Sequence, residues 1–334
     1  MRAIGYQTAG NADVLADIEI PRPMPQAHDL LVRVQAISVN PVDTKRRRWE
    51  APDLTSSYMV LGYDAAGVVE AVGSEVTSFE IGDEVFYAGA MDRPGTNAEL
   101  HLVDERIVGP KPKTLSFAEA AAMPLTTITA WEVLFDRMRI PRGSTEALGT
   151  LVILNGAGGV GSMMTQLATR LTGLEVIASA SRPETSAWVR ELGAHHVADH
   201  SKPIDEAIRA IGFVGVDYIA ALTTTPGIAR SLADALNPQG HLTLIDNFDE
   251  SIMPFKAKST TISWEMMFTR SLFGTPDMNA QRQLLTEVSS LVDDGVLRST
   301  MTANLGRITA ENLRHAHQVV EGGHAIGKVV LEGF

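Results

Sequence analysis

Residues 150–162 read TLVILNGAGGVGS. An apolar, strand-like run gives way to a cluster of glycines, and the amphipathic segment GVGSMMTQLATRL (159–171) follows as a helix. Gly156, Gly158 and Gly161 satisfy the spacing G-x-G-x-x-G, with Gly159 and Val160 between the last two. Glycine triplets arise by chance, and a tight turn with no ligand is the plain reading of one. Placed between a buried strand and a helix, the triplet becomes a dinucleotide-binding turn. Glycine there allows the sharp turn, close approach of backbone to a pyrophosphate, and packing of helix on strand. The helix N-terminus then faces the phosphates with free N–H groups and a partial positive charge.

The end of the second strand selects the dinucleotide. A chain that binds NAD places an acid there, about 20 residues beyond the glycines, to hold the ribose 2′-hydroxyl. Here the residues are Ala178-Ser179-Ala180-Ser181-Arg182, with no carboxylate among them. A guanidinium fork pairs with phosphate oxygens, so Ser181 and Arg182 point to the 2′-phosphate of NADPH. A surface arginine opening a helix is the alternative for Arg182.

From this turn outward the pattern alternates. EVIASAS (175–181), HHVAD (195–199), VDYIAAL (216–222) and HLTLID (241–246) read as strands. RPETSAWVREL (182–192), PIDEAIRAIG (203–212) and TPGIARSLADALN (225–237) read as helices, the last closed by Pro238-Gly240. Such alternation specifies a doubly wound parallel sheet, a Rossmann-type domain. The first 125 residues or so read differently, as many short strands with turn signals: LLVRVQAISV, GVVEAVGSEV, SFEIGDEVFYAG and AELHLVDERIVG. They predict a barrel-like β domain. FAEAAAMPLTTITAWEVLFDRM (117–138) then predicts two helical pieces separated by Pro124, and the last sixty residues or so could return to complete the first domain.

Composition narrows the function. A net charge of −12 argues against nucleic acid as the main partner. The one basic run, Lys45-Arg46-Arg47-Arg48, reads as a solvated helix face. No apolar run reaches the ~20 residues of a membrane span, and the N-terminus lacks a signal-peptide core, so a cytoplasmic protein is expected. The chain has no cysteine, which excludes disulfides, thiolate nucleophiles and cysteine-containing zinc sites. His196 with His200, and His315 with His317, have spacings and contexts unsuited to a shared ligand face, so no metal site is expected.

Taken together, NPVD (40–43), GYDAAGVV (62–69), GDEV (82–85), LTTITAW (125–131), GAGGVG (156–161) and the closing GKVVLEG (327–333) resemble the medium-chain dehydrogenase/reductases over essentially the whole chain. SWEMMFTRSLFGTPDM (263–278) and AHQVVEGG (316–323) are similar to the zinc-type alcohol dehydrogenase-like proteins of the quinone oxidoreductase branch. The resemblance implies a GroES-like β-barrel catalytic domain from both chain ends (1–124 and 274–334) and an inserted Rossmann domain (125–273). It implies a homodimer, and a substrate held against the nicotinamide. Zinc-dependent members carry a cysteine near Ser38 to Asn40, a His-Glu pair where this chain has Tyr63-Asp64, a later cysteine and a four-cysteine lobe. None of these cysteines is present, so zinc-dependent alcohol oxidation is not expected. Relatives without zinc reduce quinones or α,β-unsaturated carbonyls with NADPH.

The resemblance sets Asn40 beside the nicotinamide, where turn chemistry alone would make it a residue preceding Pro41. Asp43 reads as a cap for the helix starting near Thr44. Candidate proton donors are Tyr58, Tyr63 and Lys45, with direct uptake from water as the alternative. Thr127 resembles a nicotinamide-side threonine or is a helix-start hydroxyl. Lys328 is expected to reach a cofactor phosphate or to lie on a strand edge. Phe273, with Trp264, Met266 and Met267, is a candidate lining residue or part of an apolar core. The Tyr63-Asp64 pair is expected to persist as second-layer hydrogen bonding, with Asp64 tying down a neighbouring loop. The main alternative function is an NADPH-binding sensor or structural protein with weak catalysis.

Overall fold

The strand–glycine–helix stretch folds as its pattern dictates. Thr150–Ile153 is a strand and Gly159–Leu171 a helix of 13 residues. In the computed structural model, which describes residues 1–52, 57–144 and 146–334, they belong to the second of two compact units. That unit comprises Thr129–Met267; the first comprises Met1–Ile128 and Phe268–Phe334.

Six parallel strands form the sheet of the second unit. Their order is His196–Ala198, Glu175–Ser179, Thr150–Ile153, Val216–Ala221, Leu236–Leu244 and Thr261–Trp264. Thr150–Ile153 lies in the middle, where the order reverses, and ligands of such sheets bind at that switch point. Val152, Ile177, Ile219 and Leu242, opposite one another on neighbouring strands, are fully buried together on one face of the sheet. One strand starts earlier than its sequence suggests. Leu236–Leu244 includes the Pro238-Gln239-Gly240 segment, with Gln239 left-handed at φ 64, so this turn lies within the strand rather than closing the preceding helix, which ends at Ala235.

The first unit is built on a seven-stranded sheet. Met301–Asn304, Lys328–Glu332, Asp29–Val39, Asp64–Val72, Glu84–Ala88 and Val108–Pro110 lie in that order, and Leu100–Asp104 pairs with Asp29–Val39. Its core includes Leu30, Val32, Ile37, Val69, Val85, Leu313 and Leu331. The last strand does return to the first domain, inserted beside Asp29–Val39. Register then fixes the site: Ser38 lies opposite Asp64 and Val39 opposite Val329, which brings Lys328 to the turn at Asn40.

The unit boundaries fall at 128/129 and 267/268 rather than at the 124/125 and 273/274 read from sequence. Leu125 and Thr127 bond to Asp64 and Met123, both in the first unit. Phe268 rejoins that unit by packing its ring on Tyr63, with centroids 4.7 Å apart.

Candidate active site

Asn40 ends the long strand and precedes the helix Pro41–Trp49, whose first position is the proline that a helix start tolerates. The helix starts at Pro41, three residues before the start expected at Thr44, so Asn40 and not Asp43 holds the cap position; Asp43 lies in the first turn, and its carboxylate accepts from the Asn40 backbone N–H at 2.8 Å. It also accepts from Gly62 N–H at 3.1 Å, clamping the segment that leads into Tyr63-Asp64. Burial pushes the Asp43 carboxyl up to about 7; the Asn40 bond and the Lys328 charge pull it down, and the Asp64 charge adds to the rise.

The Asn40 side chain is not spent on the cap. Its Nδ2 donates to Asp64 Oδ2 at 2.8 Å, and its Oδ1 accepts from the Lys328 ammonium. Ser38 Oγ donates to the same Asp64 oxygen at 2.7 Å, and Lys328 Nζ lies 3.2 Å from it. Lys328 also donates to Val39 O at 2.9 Å. The second Asp64 oxygen accepts from Leu125 N–H at 2.7 Å, at the start of the helix Pro124–Trp131, where a negative charge is favoured. Asp64 therefore ties down a helix start, where a loop was expected. The cluster is closed: Asp64 is 0% exposed, Asn40 1% and Lys328 3%.

Tyr63 points at different partners. Its hydroxyl oxygen accepts from Arg46 Nη1, and the ring rests on Phe268. Arg46 is itself held, donating to Met91 O at 2.9 Å and, through Nε and Nη2, to Glu50 Oε2 at 2.7 and 2.6 Å. Burial raises the Tyr63 phenol well above its ordinary value and the Asp43 charge adds to that, while Arg46 works against both.

The remaining candidates fall elsewhere. Lys328 neither lies on a sheet edge nor is turned outward toward a phosphate, because its strand is flanked on both sides and its ammonium is drawn to Asp64. Lys45 is exposed on its helix, and Tyr58, 38% exposed, lies beside Gly5; neither is buried in the cluster. Thr127 is fully buried and its hydroxyl donates to Met123 O at 2.7 Å, the helix-internal use of a threonine. Phe273 ends the short helix Thr269–Phe273 and is 74% exposed, so it belongs to no core, and it lies in the first unit, not the Rossmann one. The basic run corrects its reading too. Arg46 is engaged as above, and Arg47 is wholly buried, donating to Gly10 O, His317 Nδ1 and Glu321.

In the second unit the glycine turn has the shape a dinucleotide needs. Asn155 is left-handed at φ 56, and Gly156 N–H donates to Ser179 O at 3.0 Å. A Cβ on Gly156 would stand 2.8 Å from Ala178 Cβ, and one on Gly161 would stand 2.4 Å from Asn155 O. Gly158 caps the helix, and its first turn, Gly159, Val160 and Gly161, carries no acid. The backbone N–H groups there suit a pyrophosphate.

At the adjoining strand end, Ser181 is exposed and Arg182 precedes the helix Pro183–Glu191, its Nε 3.3 Å from Glu184. Two residues escaped the sequence reading. Ser179 Oγ accepts from Asn155 N–H at 2.9 Å and lies 2.9 Å from His200 Nδ1. Burial lowers the His200 pKa, the Asp199 charge and the bond to Ser179 work against it, and the Arg182 charge lowers it further. The signal was there in ASAS: alternation sends Ser179 to one face of its strand and His200 follows the neighbouring strand. This corner thus holds a hydroxyl, a guanidinium and an imidazole together with the carboxylates of Glu184 and Asp199.

The chain matches known families along most of its length. The alcohol dehydrogenase GroES-like domain matches residues 26–129, and the zinc-binding dehydrogenase family matches residues 192–331. A zinc-type alcohol dehydrogenase-like protein of Staphylococcus aureus is 42% identical over 337 residues, covering 99% of both chains. An NADPH-dependent alkenal/one oxidoreductase of Arabidopsis thaliana is 39% identical over 257 residues, covering 72% of this chain and 64% of its own. Among solved structures, a Rhizobium etli protein assigned to the zinc-dependent alcohol dehydrogenases superposes with a TM-score of 0.95 at 54% identity, over 100% of this chain and 98% of its own. The quinone oxidoreductase of Coxiella burnetii gives 0.83 at 26%, over 100% and 99%. With a GroES-like first unit, a Rossmann-type second unit and relatives of this kind over its full length, the chain belongs to the medium-chain dehydrogenase/reductase superfamily, in its quinone oxidoreductase branch, and is an oxidoreductase of that family.

Proposed function

We propose that this protein is an NADPH-dependent reductase of quinones or α,β-unsaturated carbonyls that works without zinc. The observation that carries the reading is the fate of Tyr63 and Asp64. Where metal-dependent relatives are expected to present ligands, this chain presents a phenol bonded to Arg46 and a carboxylate enclosed by Ser38, Asn40 and Lys328. An ammonium already neutralises that carboxylate, and among the described residues no three His, Cys, Asp or Glu side chains gather as a ligand set.

NADPH, when bound, supplies the hydride. The glycine turn would hold the pyrophosphate on the N–H groups of Gly159, Val160 and Gly161, and Ser181, Arg182 and His200 would hold the 2′-phosphate. An electrophilic quinone or enone needs no Lewis acid, so what the chain must do is orient its partners and supply hydrogen-bond donors to the oxygen that gains charge. The relative named an NADPH-dependent alkenal/one oxidoreductase supports this substrate class. The reading extends to a cytoplasmic homodimer. Thr261–Trp264 is an edge strand with Trp264 52% exposed, a surface suited to a second copy. Among the described residues no helix is long and apolar enough to cross a membrane.

Steady-state assays with a panel of quinones and enones, run with NADPH and with NADH, test the proposal. Turnover preferring NADPH in protein free of zinc by metal analysis is expected. Tight NADPH binding without turnover across the panel would favour a sensor, and stoichiometric zinc with alcohol oxidation would overturn the zinc-free reading.

A further inference from the structure

We propose that Asn155 is a site of spontaneous deamidation, and that its conversion to aspartate or isoaspartate closes the glycine turn to dinucleotides; the second half rests on the NADPH reading above. Asn155-Gly156 is the only Asn-Gly pair in the chain. The fold dictates both residues. Asn155 is left-handed at φ 56, a conformation that asparagine adopts more readily than most non-glycine residues. Position 156 has no room for a side chain, because a Cβ there would stand 2.8 Å from Ala178 Cβ. The turn thus sets a side-chain amide directly before a backbone nitrogen that no side chain shields. Asn155 is exposed, and its amide group makes no hydrogen bond to another described residue.

The nucleophile holds the reaction back. Gly156 N–H donates to Ser179 O at 3.0 Å and Asn155 N–H to Ser179 Oγ at 2.9 Å, so the nitrogen keeps its proton while the turn is closed. Deamidation proceeds through the opened turn. Hydroxide removes the Gly156 amide proton, the nitrogen bonds to Asn155 Cγ, and the Cγ–Nδ2 bond breaks to release ammonia. Water then opens the succinimide at either carbonyl, giving aspartate or isoaspartate, and no electron is transferred. The product carries a carboxylate where a neutral amide stood. Asn155 Nδ2 would lie 3.0 Å from a Cβ on Gly158, which caps a helix whose first turn holds no acid. A carboxylate in that place is drawn to the free N–H groups of the helix start, where the pyrophosphate would sit. Dinucleotide binding and deamidation therefore oppose each other: bound NADPH keeps the turn closed, and the converted turn disfavours NADPH.

The test ages the full-length protein at pH 7 and pH 9, with and without NADPH, and follows the exchange of NH2 for OH by peptide mass. Conversion at Asn155 should outrun that at every other asparagine, rise with pH, and slow roughly 100-fold with NADPH at about 100 times its Kd. Ser179→Ala, which frees the Asn155 N–H, should speed it. Asn155→Asp, the product itself, should weaken NADPH and NADH alike by about tenfold or more. Its unfolding temperature should hold or rise, because a carboxylate is stabilising at a helix start. Asn155→Gly accepts the left-handed backbone and should keep its dinucleotide affinity through ageing. Fresh protein that binds NADPH but converts Asn155 no faster than its other asparagines would overturn the inference and leave the reductase reading intact. Unchanged affinity in Asn155→Asp would overturn the closing of the turn. Conversion at Asn155 in protein whose fresh form binds neither dinucleotide would uphold the modification site and remove the NADPH reading.

Discussion

Lys328 Nζ and Asp64 Oδ2 lie 3.2 Å apart in a pocket where the side chains of both residues are almost wholly buried. They come from the last strand of the chain and from the strand that follows the Asp43-clamped turn, and Asn40 bonds to both. The pair thus fixes the orientation of the Asn40 amide, because the carbonyl end must face the cation and the NH2 end the carboxylate.

Removing one partner leaves an uncompensated buried charge. Lys328→Met should therefore destabilise the protein by about 3–5 kcal/mol, the usual cost of breaking a buried ion pair. Adding Asp64→Asn in the same chain should recover much of that loss, because no lone charge remains. Thermal unfolding of the two variants checks this: a double variant no more stable than the single one would show that the lost hydrogen bonds, not the stranded charge, set the cost.

Asp43 gives the first unit a pH dependence of defined sign. Its carboxyl is raised from 3.8 to about 7 in the native state, chiefly by burial. Between those values the folded chain holds a proton the unfolded chain has lost, so stability falls as pH rises, by up to about 1.4 kcal/mol per pH unit for one proton. The contribution is complete below about 3.8 and gone once pH passes about 7. Asp43→Asn should flatten this slope. Urea midpoints at a series of pH values would show the wild-type advantage shrinking from pH 4 to pH 7; parallel curves would mean the carboxylate stays ionised on its two backbone donors.

What the sequence revealed and what it hid follow from distance along the chain. The glycine turn is legible because its pattern lies within 13 residues, and Gly158 and Gly161 meet atoms of Asn155 and Gly156 in the same stretch. The Asn40–Asp64–Lys328 cluster joins residues up to 288 apart, and only strand register, with Val39 opposite Val329, brings them together. Local charge statistics failed for the same reason. Lys45-Arg46-Arg47-Arg48 has the composition of a solvated face, yet Arg47 is wholly buried because His317 and Glu321, from a helix near the far end of the chain, pack against it.

Two glycines of the turn should fail in different ways. A Cβ at Gly161 would lie 2.4 Å from Asn155 O and 2.7 Å from Gly156 C, both backbone atoms that cannot give way without opening the turn. Gly161→Ala should lower the unfolding temperature and abolish NADPH binding together. The three atoms nearest a Cβ at Gly158 all belong to Asn155, with side-chain Nδ2 first at 3.0 Å. Gly158→Ala should keep most of the stability and still weaken NADPH, since the added methyl stands where a pyrophosphate approaches the backbone. Thermal melts paired with quenching of protein fluorescence by NADPH separate the two effects.

On the NADPH reading proposed above, the choice between dinucleotides rests on the corner formed by Ser181, Arg182 and His200. A guanidinium bonded to a phosphate contributes about 1.5–3 kcal/mol, as hydrogen bonds to charged groups do. Arg182→Ala should therefore raise the Kd for NADPH by roughly 10- to 150-fold. The Kd for NADH should barely move, because NADH has no 2′-phosphate to lose. Ser181→Ala should shift NADPH in the same direction by less, a neutral hydroxyl being the weaker donor. The Glu184 carboxylate, 3.3 Å from Arg182 Nε, competes with the phosphate for the guanidinium. Glu184→Gln should accordingly tighten NADPH without affecting NADH. Equal losses for both dinucleotides in Arg182→Ala would show that the arginine supports the turn as a whole and does not read the 2′ position.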